Sequence, residues 1–286
     1  MRKILILGGT GMLGHVCKLV LESANLFDVV STCRANKSGY IEFDALSHSP
    51  TELVNEIKPD WIINCIGVTK SQIDETSVKS LSQAISINAV FPSKLSQATS
   101  RPIIQIATDC VYSGDDGNYL ETDLHDCTDV YGKTKSLGEI PAKNLLHLRT
   151  SIIGPELGKS HQILEWFRNQ DVNAEINGFT DHLWNGITTH HFAKLVLGII
   201  SNDFQNASKI HVIPSDSIKK SDLLHEFSRA YNRRDIKINN VLSGRAINRT
   251  LACVNPDLNQ VLWNMAGYLH IPSIAQMVNE QAQIIP

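Results

Sequence analysis

None of the six cysteines in this 286-residue chain stands in a C-x-x-C pair, so neither a thioredoxin-type redox motif nor a zinc ribbon is written here. Cys17, Cys33, Cys65, Cys110, Cys127 and Cys253 are scattered, several inside apolar runs, and are expected as reduced core thiols. No run of about 18 apolar residues is available to cross a bilayer. A basic leader followed by an apolar segment is absent too, and the expected location is the cytoplasm. Basic residues do not cluster beyond pairs such as Arg233-Arg234, and the net charge is −3, which removes a general attraction to nucleic acid. His190-His191 and nearby His182 lack an acidic or thiol partner at ligand spacing. Neighbours on a helix also point apart, so no metal site is expected. Internal repeats and low-complexity tracts are missing.

What the chain does have is 42% hydrophobic residues in a regular rhythm. Apolar strand-like runs at 3–7, 28–33, 40–43, 61–66, 102–107 and 145–149 alternate with helical windows near 11–24, 51–58, 77–99 and 131–140. Alternation of this kind implies right-handed βαβ units, hence an α/β fold with a doubly wound parallel sheet covered by helices on both faces. Past about Gly154 the rhythm loosens. Helical windows at 161–169, 189–201, 220–231 and 273–283, with short strands near 174–177 and 209–214, suit a smaller, mostly helical region. The expected division is a dinucleotide-binding domain over 1–155 and a substrate-binding region over 156–286 that crosses back to the sheet.

The run Lys3-Ile4-Leu5-Ile6-Leu7 leads straight into Gly8-Gly9-Thr10-Gly11-Met12-Leu13-Gly14. Strand, glycine turn and helix follow one another. Gly8 permits the tight turn, Gly11 lets the backbone approach a pyrophosphate, and Gly14 allows close helix packing, while free N–H groups at the helix start face the phosphates. Further on, Tyr131 and Lys135 stand four apart in a helical window and therefore share a face. A phenol with a reference pKa of about 10 is a reluctant proton carrier near neutrality, and a neighbouring ammonium is expected to pull that value down.

These two motifs are joined by Asn64-Cys65-Ile66-Gly67, Ser86-Ile87-Asn88-Ala89, Ile106-Ala107-Thr108-Asp109-Cys110, Glu121-Thr122-Asp123, Gly138-Glu139 and Leu148-Arg149-Thr150-Ser151, in that order. In order and spacing the chain resembles the extended short-chain dehydrogenase/reductase family. Within it, the chain resembles the dTDP-4-dehydrorhamnose reductase group of nucleotide-sugar enzymes, specifically over residues 1 to about 155.

The resemblance implies a Rossmann-type fold and a nicotinamide cofactor. Gly8, Thr10, Gly11, Met12, Leu13 and Gly14 would hold it, with Asp44 and Ala45 at the adenine and Cys65, Ile66 and Gly67 along the adenosine and ribose. The second strand ends in Arg34 with no carboxylate before Glu42, which favours NADP(H) over NAD(H); stacking of Arg34 on adenine is the other reading. Thr108, Tyr131 and Lys135 are the implied catalytic set, and Tyr131 and Lys135 also belong to the cofactor set. The hydroxyl holds a substrate carbonyl, the phenol supplies a proton, and the lysine also bonds the nicotinamide ribose. Asn88 matches an asparagine that orders a water behind the lysine, or else caps a helix.

Candidate substrate contacts are Val68, Lys70, Asp109, Cys110, Ile152, Trp184, Arg245 and Arg249. Dehydratases of this scaffold carry a glutamate where Cys110 stands, so reduction of a 4-keto nucleotide sugar in deoxysugar or surface-polysaccharide synthesis is the preferred reading. An epimerase with bound NAD and a non-catalytic sensor or regulatory subunit are the alternatives. Rhamnose-type reductases place a tryptophan where Ile152 stands, so a different sugar is implied. Trp184 either supplies the missing aromatic surface or is buried, and one of Arg245 and Arg249 would meet a diphosphate. The partner is a small nucleotide-sugar molecule rather than nucleic acid or membrane, and a homodimer is compatible with the family.

Overall fold

The structure is a computed structural model describing residues 1–158 and 161–284. In the first half β1 (Arg2–Leu7), β2 (Phe27–Cys33), β3 (Ile41–Glu42), β4 (Trp61–Asn64), β5 (Ile103–Ala107) and β6 (Leu145–Arg149) alternate with helices, as the hydrophobic rhythm predicts. The helices are α1 (Gly14–Ser23), α2 (Pro50–Ile57), α3 (Val78–Ala84), α4 (Phe91–Gln97) and α5 (Val130–Leu137). Local chemistry sets their ends. Ser49 caps α2 by accepting from Glu52 N–H at 3.3 Å, and Asp129 caps α5 by accepting from Gly132 N–H at 2.9 Å. Helix α1 begins at Gly14 rather than near Gly11, because residues 8–13 are taken up by the turn.

The window 77–99 is helical almost throughout, but a π-helical stretch at Ile85–Val90 separates α3 from α4. Pro92 has no N–H to offer the Asn88 carbonyl four residues back, which favours a widened turn there. Gly138 packs on that carbonyl: a Cβ at Gly138 would stand 2.1 Å from the Asn88 oxygen.

The second half contains β7 (Ile152–Ile153), β8 (Glu175–Phe179), β9 (His182–Trp184), β10 (Ile187–Thr188), β11 (Lys209–His211), β12 (Ile218–Lys219), β13 (Lys237–Val241) and β14 (Ile247–Asn248). Its helices are α6 (Ile163–Arg168), α7 (Thr189–Ser201), α8 (Lys220–Ala230), α9 (Pro256–Met265) and α10 (Ile274–Ile284). The central sheet has seven strands in the order β11-β6-β5-β4-β1-β2-β3, all parallel. Its edge is therefore completed by a strand from late in the chain. Helix α7, buried along most of its length, packs on α1. The remaining short strands form small pairs such as β8 with β13, and α9 is a helix the sequence pattern did not reveal. No helix among the described residues is long and apolar enough to cross a membrane.

Behind α5 lies a buried polar knot centred on Arg149, whose side chain is wholly enclosed. Its guanidinium donates to both Glu139 carboxylate oxygens, to the Tyr112 hydroxyl at 2.7 Å, and to ring nitrogens of His125 (2.7 Å) and His211 (2.8 Å). Burial lowers both imidazoles, His211 to about 4, so they are neutral acceptors. Lys209 closes the other side of Glu139 at 3.0 Å. A buried cation survives only with its acceptors satisfied, and this set joins the end of α5 to β6 and β11.

Candidate active site

The carboxyl ends of β1, β4 and β5 open into a cleft of about 620 Å³, which continues past Thr10, Gly11 and residues 65–68 into a second hollow of about 460 Å³. This is where open parallel sheets collect ligands. Gly8 adopts φ +77°, a backbone that other residues resist, and the Gly11 N–H returns to its carbonyl at 3.0 Å. A Cβ on Gly14 would meet the Gly8 oxygen at 2.2 Å, so α1 sits directly on the turn. Gly11 and Gly67 instead face the trough. A Cβ there would meet nothing nearer than 3.3 Å and 3.5 Å and would fill space that backbone now borders. That cradle fits a dinucleotide pyrophosphate.

Arg34 lines the far hollow with Phe43, Asp44 and Ala45. Lys37, which the motif reading missed, joins them and lies 5.3 Å from the Tyr40 ring centre. Asp44 holds its own loop, accepting from Leu46 N–H at 3.0 Å. Asn88 does not border the trough. Its amide clasps Val68, accepting from the N–H and donating to the carbonyl at 2.9 Å each, and donates to Thr134 on α5 at 3.2 Å. It acts on the site through those neighbours, since every arm of the amide is engaged.

Thr108, Tyr131 and Lys135 meet on one wall of the larger cleft. The Thr108 hydroxyl donates to Asp109 at 3.2 Å and accepts from Cys110 N–H at 3.2 Å. Lys135 donates to the Ile106 carbonyl at 2.8 Å. Burial, joined by Cys110, Asp109 and Asp129, pushes the phenol above the usual tyrosine range, and the nearby Thr108 hydroxyl works against that rise. The expected lowering by the lysine is not found, because the ammonium is turned to a backbone carbonyl and is itself held down to about 8 by burial, against the pull of Glu139 and Cys110. Tyr131 thus keeps its proton through neutral pH, the state a proton donor requires.

The Cys110 thiol is pushed up to about 12, by burial first and then by Asp109, and cannot serve as a base near neutrality. Burial raises Asp109 as well, countered by Arg249, Thr108 and Lys220. Val68, Lys70 and Ile152 line the cleft, and Lys70 is ion-paired with Asp129 at 3.0 Å. Thr150, Ser151, Glu156, His161 and Gln162 border the same end and were not foreseen. Trp184 is packed in the main core, with the place of a Gly186 Cβ only 2.5 Å from its ring, so it supplies no aromatic surface to the cleft. Arg245 is exposed and paired with Asp115 at 2.8 Å. Of the two late arginines, Arg249 stands nearer the chemistry: it donates to the Tyr112 carbonyl at 2.9 Å and its charge reaches Asp109.

Comparison with known proteins agrees with this geometry. A dTDP-4-dehydrorhamnose reductase of Aggregatibacter actinomycetemcomitans is 28% identical over 184 residues, covering 60% of this chain and 59% of that protein. The methionine adenosyltransferase 2 subunit beta of Mus musculus is 27% identical over 139 residues, covering 48% of this chain and 42% of that protein. The matches thus span about half the length of these curated relatives. Among solved structures, a dTDP-4-dehydrorhamnose reductase of Bacillus anthracis str. Ames in complex with NADP superposes over all of both chains with TM-score 0.79 at 20% identity, which establishes the Rossmann-like fold. Residues 1–219 match the family described as the RmlD substrate binding domain, and the chain belongs to that family.

Proposed function

We propose that this chain is a cytoplasmic, NADP(H)-dependent reductase of a 4-keto nucleotide sugar in deoxysugar or surface-polysaccharide synthesis. The observation that carries the reading is the meeting of Thr108, Tyr131 and Lys135 on the wall of a cleft continuous with a glycine cradle and with Arg34. NADPH, when bound, supplies the hydride. Gly8 to Gly14 hold its phosphates, and Arg34 with Lys37 receives the 2′-phosphate, for which guanidinium and ammonium groups suit. Thr108 orients the substrate carbonyl, and Tyr131 gives its proton to the keto oxygen as the alkoxide develops. Lys135 fixes the ribose and balances the phenolate left behind. Dehydration is disfavoured because Cys110 offers no base.

The test is to follow nicotinamide absorbance while the protein meets NADPH and a panel of 4-keto nucleotide sugars. Stoichiometric oxidation of NADPH supports the reductase, whereas epimer formation without net oxidation would replace it with the epimerase. Ile152 supplies no aromatic platform, so dTDP-4-dehydrorhamnose itself is expected to be a poor substrate. A kcat/KM of about 10⁴ M⁻¹s⁻¹ or more with it would overturn that part. The similarity to a methionine adenosyltransferase subunit favours a second reading, a nucleotide-binding regulatory subunit. Tight NADPH binding with no turnover of any sugar in the panel would select it.

A further inference from the structure

We propose that Tyr40 sets the preference for a 2′-phosphorylated dinucleotide, as a positioning residue whose ring holds the Lys37 ammonium over the far hollow of the trough. The inference rests on the cofactor part of the proposed function, and it assigns a role to a side chain that lines neither hollow itself. A single turn brings ring and ammonium together. Tyr40 N–H donates to the Lys37 carbonyl at 3.1 Å and closes the turn Lys37-Ser38-Gly39-Tyr40, with Gly39 in its third position at φ +79°, where such a turn takes glycine. The roots of this loop are fastened. Cys33 Sγ donates to the Ala35 carbonyl at 2.8 Å, and Phe43 N–H donates to the Cys33 carbonyl at 2.8 Å. The half-buried ring is backed by the glycine turn, since a Cβ on Gly9 would stand 3.1 Å from its edge.

Two ammonium groups share that ring. Lys37 Nζ lies 5.3 Å from its centre, and Lys18 Nζ, reaching across from α1, lies 5.6 Å from it, both within range of a cation–π attraction. Their circumstances differ. Lys18 is ion-paired with Glu22 at 2.5 Å and does not line the hollow, whereas Lys37 lines it beside Arg34 and, among the described residues, enters no ion pair. The charge of Lys37 is thus left for a ligand. Asp44, the carboxylate on the same lining, is engaged with Leu46 N–H of its own loop. A lysine on an exposed loop must give up the freedom of its four-carbon stem to meet a phosphate, and the ring restricts that freedom before the ligand arrives. A phosphate monoester carries close to two negative charges near neutrality. NADH offers a hydroxyl at the same place, so the benefit of the held ammonium falls on NADPH alone.

The experiment titrates NADPH and NADH separately into the full chain and its variants, follows nicotinamide fluorescence, and compares the ratio of the two dissociation constants. Lys37→Ala should narrow the ratio about tenfold or more, as for a hydrogen bond between charged groups, and Tyr40→Leu about two- to fivefold, as for a cation over a partly exposed ring. NADH affinity should stay unchanged in both. Tyr40→Phe keeps the ring face, and Lys18→Met removes only the cation already paired, so each should hold the wild-type ratio within about twofold. In the Lys37→Ala background, Tyr40→Leu should narrow the ratio no further. A ring-fluorinated phenylalanine at position 40 keeps the shape but drains the negative face of the ring, and should act as Tyr40→Leu does; an unchanged ratio with it would overturn the proposal even if Tyr40→Leu did not fold. Equal weakening of NADPH and NADH by Tyr40→Leu, a Tyr40→Phe variant as impaired as Tyr40→Leu, or further narrowing in the Lys37→Ala background would also overturn it. A wild-type chain that binds neither nucleotide, or both alike, would overturn the cofactor part of the proposed function and this inference with it, whereas a selective wild type with unmoved Tyr40 variants would overturn the inference alone.

Discussion

Lys135→Met should make the protein more stable while removing its turnover. The lysine's ordinary value is 10.5 and its value in the fold is about 8, a gap worth about 3 kcal/mol at 1.36 kcal/mol per pH unit. Because the folded value is the lower one, the protonated side chain penalises the fold below about pH 8, and the penalty fades as pH rises toward 10.5. The side chain is only partly buried in the cleft wall, so roughly half of that figure is a fair expectation. Methionine fills similar space without charge. It also gives up the bond to the Ile106 carbonyl, a loss of about 1 kcal/mol. The net gain expected at pH 7 is about 0.5 kcal/mol, or roughly one to two degrees in Tm. Urea unfolding without added nucleotide measures it, at pH 7 and again at pH 10, where the advantage should shrink or vanish. A variant less stable than wild type at pH 7, or an advantage independent of pH, would refute the reasoning. On the proposed function NADPH binding and turnover should both fall, since the proposed ribose contact and the counter-charge to the phenolate would be lost.

Tyr131→Phe keeps the ring and removes the proton donor, so turnover should drop by roughly 10²–10⁴ with NADPH binding nearly intact; turnover within a few-fold of wild type would take Tyr131 out of the mechanism. Arg34→Ala should narrow the gap between NADPH and NADH affinity by about 1.5–3 kcal/mol, the range for a hydrogen bond to a charged group, as read by titrating both nucleotides. Should the ratio stay fixed, Arg34 does not meet the 2′-phosphate. Glu139→Gln leaves the wholly buried Arg149 guanidinium without its carboxylate and should cost about 3–5 kcal/mol in urea unfolding; a loss below about 1 kcal/mol would mean that Tyr112, His125 and His211 suffice.

The part of the fold with long, regular signals was legible in the sequence. Apolar runs such as Lys3 to Leu7 are bounded by glycine or proline, and Tyr131 and Lys135 are fixed by helix geometry, so both survive translation into three dimensions. Strands of two or three residues such as β7, β10 and β12 carry too few positions for any period to register. The fates of Trp184 and Arg245 turned on partners far away in sequence: a core assembled from both halves, and Asp115 on another loop. Lys37 was missed because it lies in the turn after β2 rather than in a motif. The phenol's protonation could not be read from Tyr-x-x-x-Lys spacing, since it depends on how deeply the ring is enclosed and where the ammonium points.

The late return of β11 to the edge of the central sheet, with α7 laid on α1, bears on how such a protein can diversify. Exchange at a single crossover near residue 155 would pair one parent's β6 and α1 with another parent's β11 and α7, and side chains that had never been selected together would have to interlock. On the proposed function, a new substrate preference is therefore more accessible through point changes around Ile152 and Glu156, which line the cleft, than through grafting of a whole distal half. A fragment ending at residue 155 would leave the outer edge of β6 and the apolar face of α1 uncovered, and such surfaces invite aggregation.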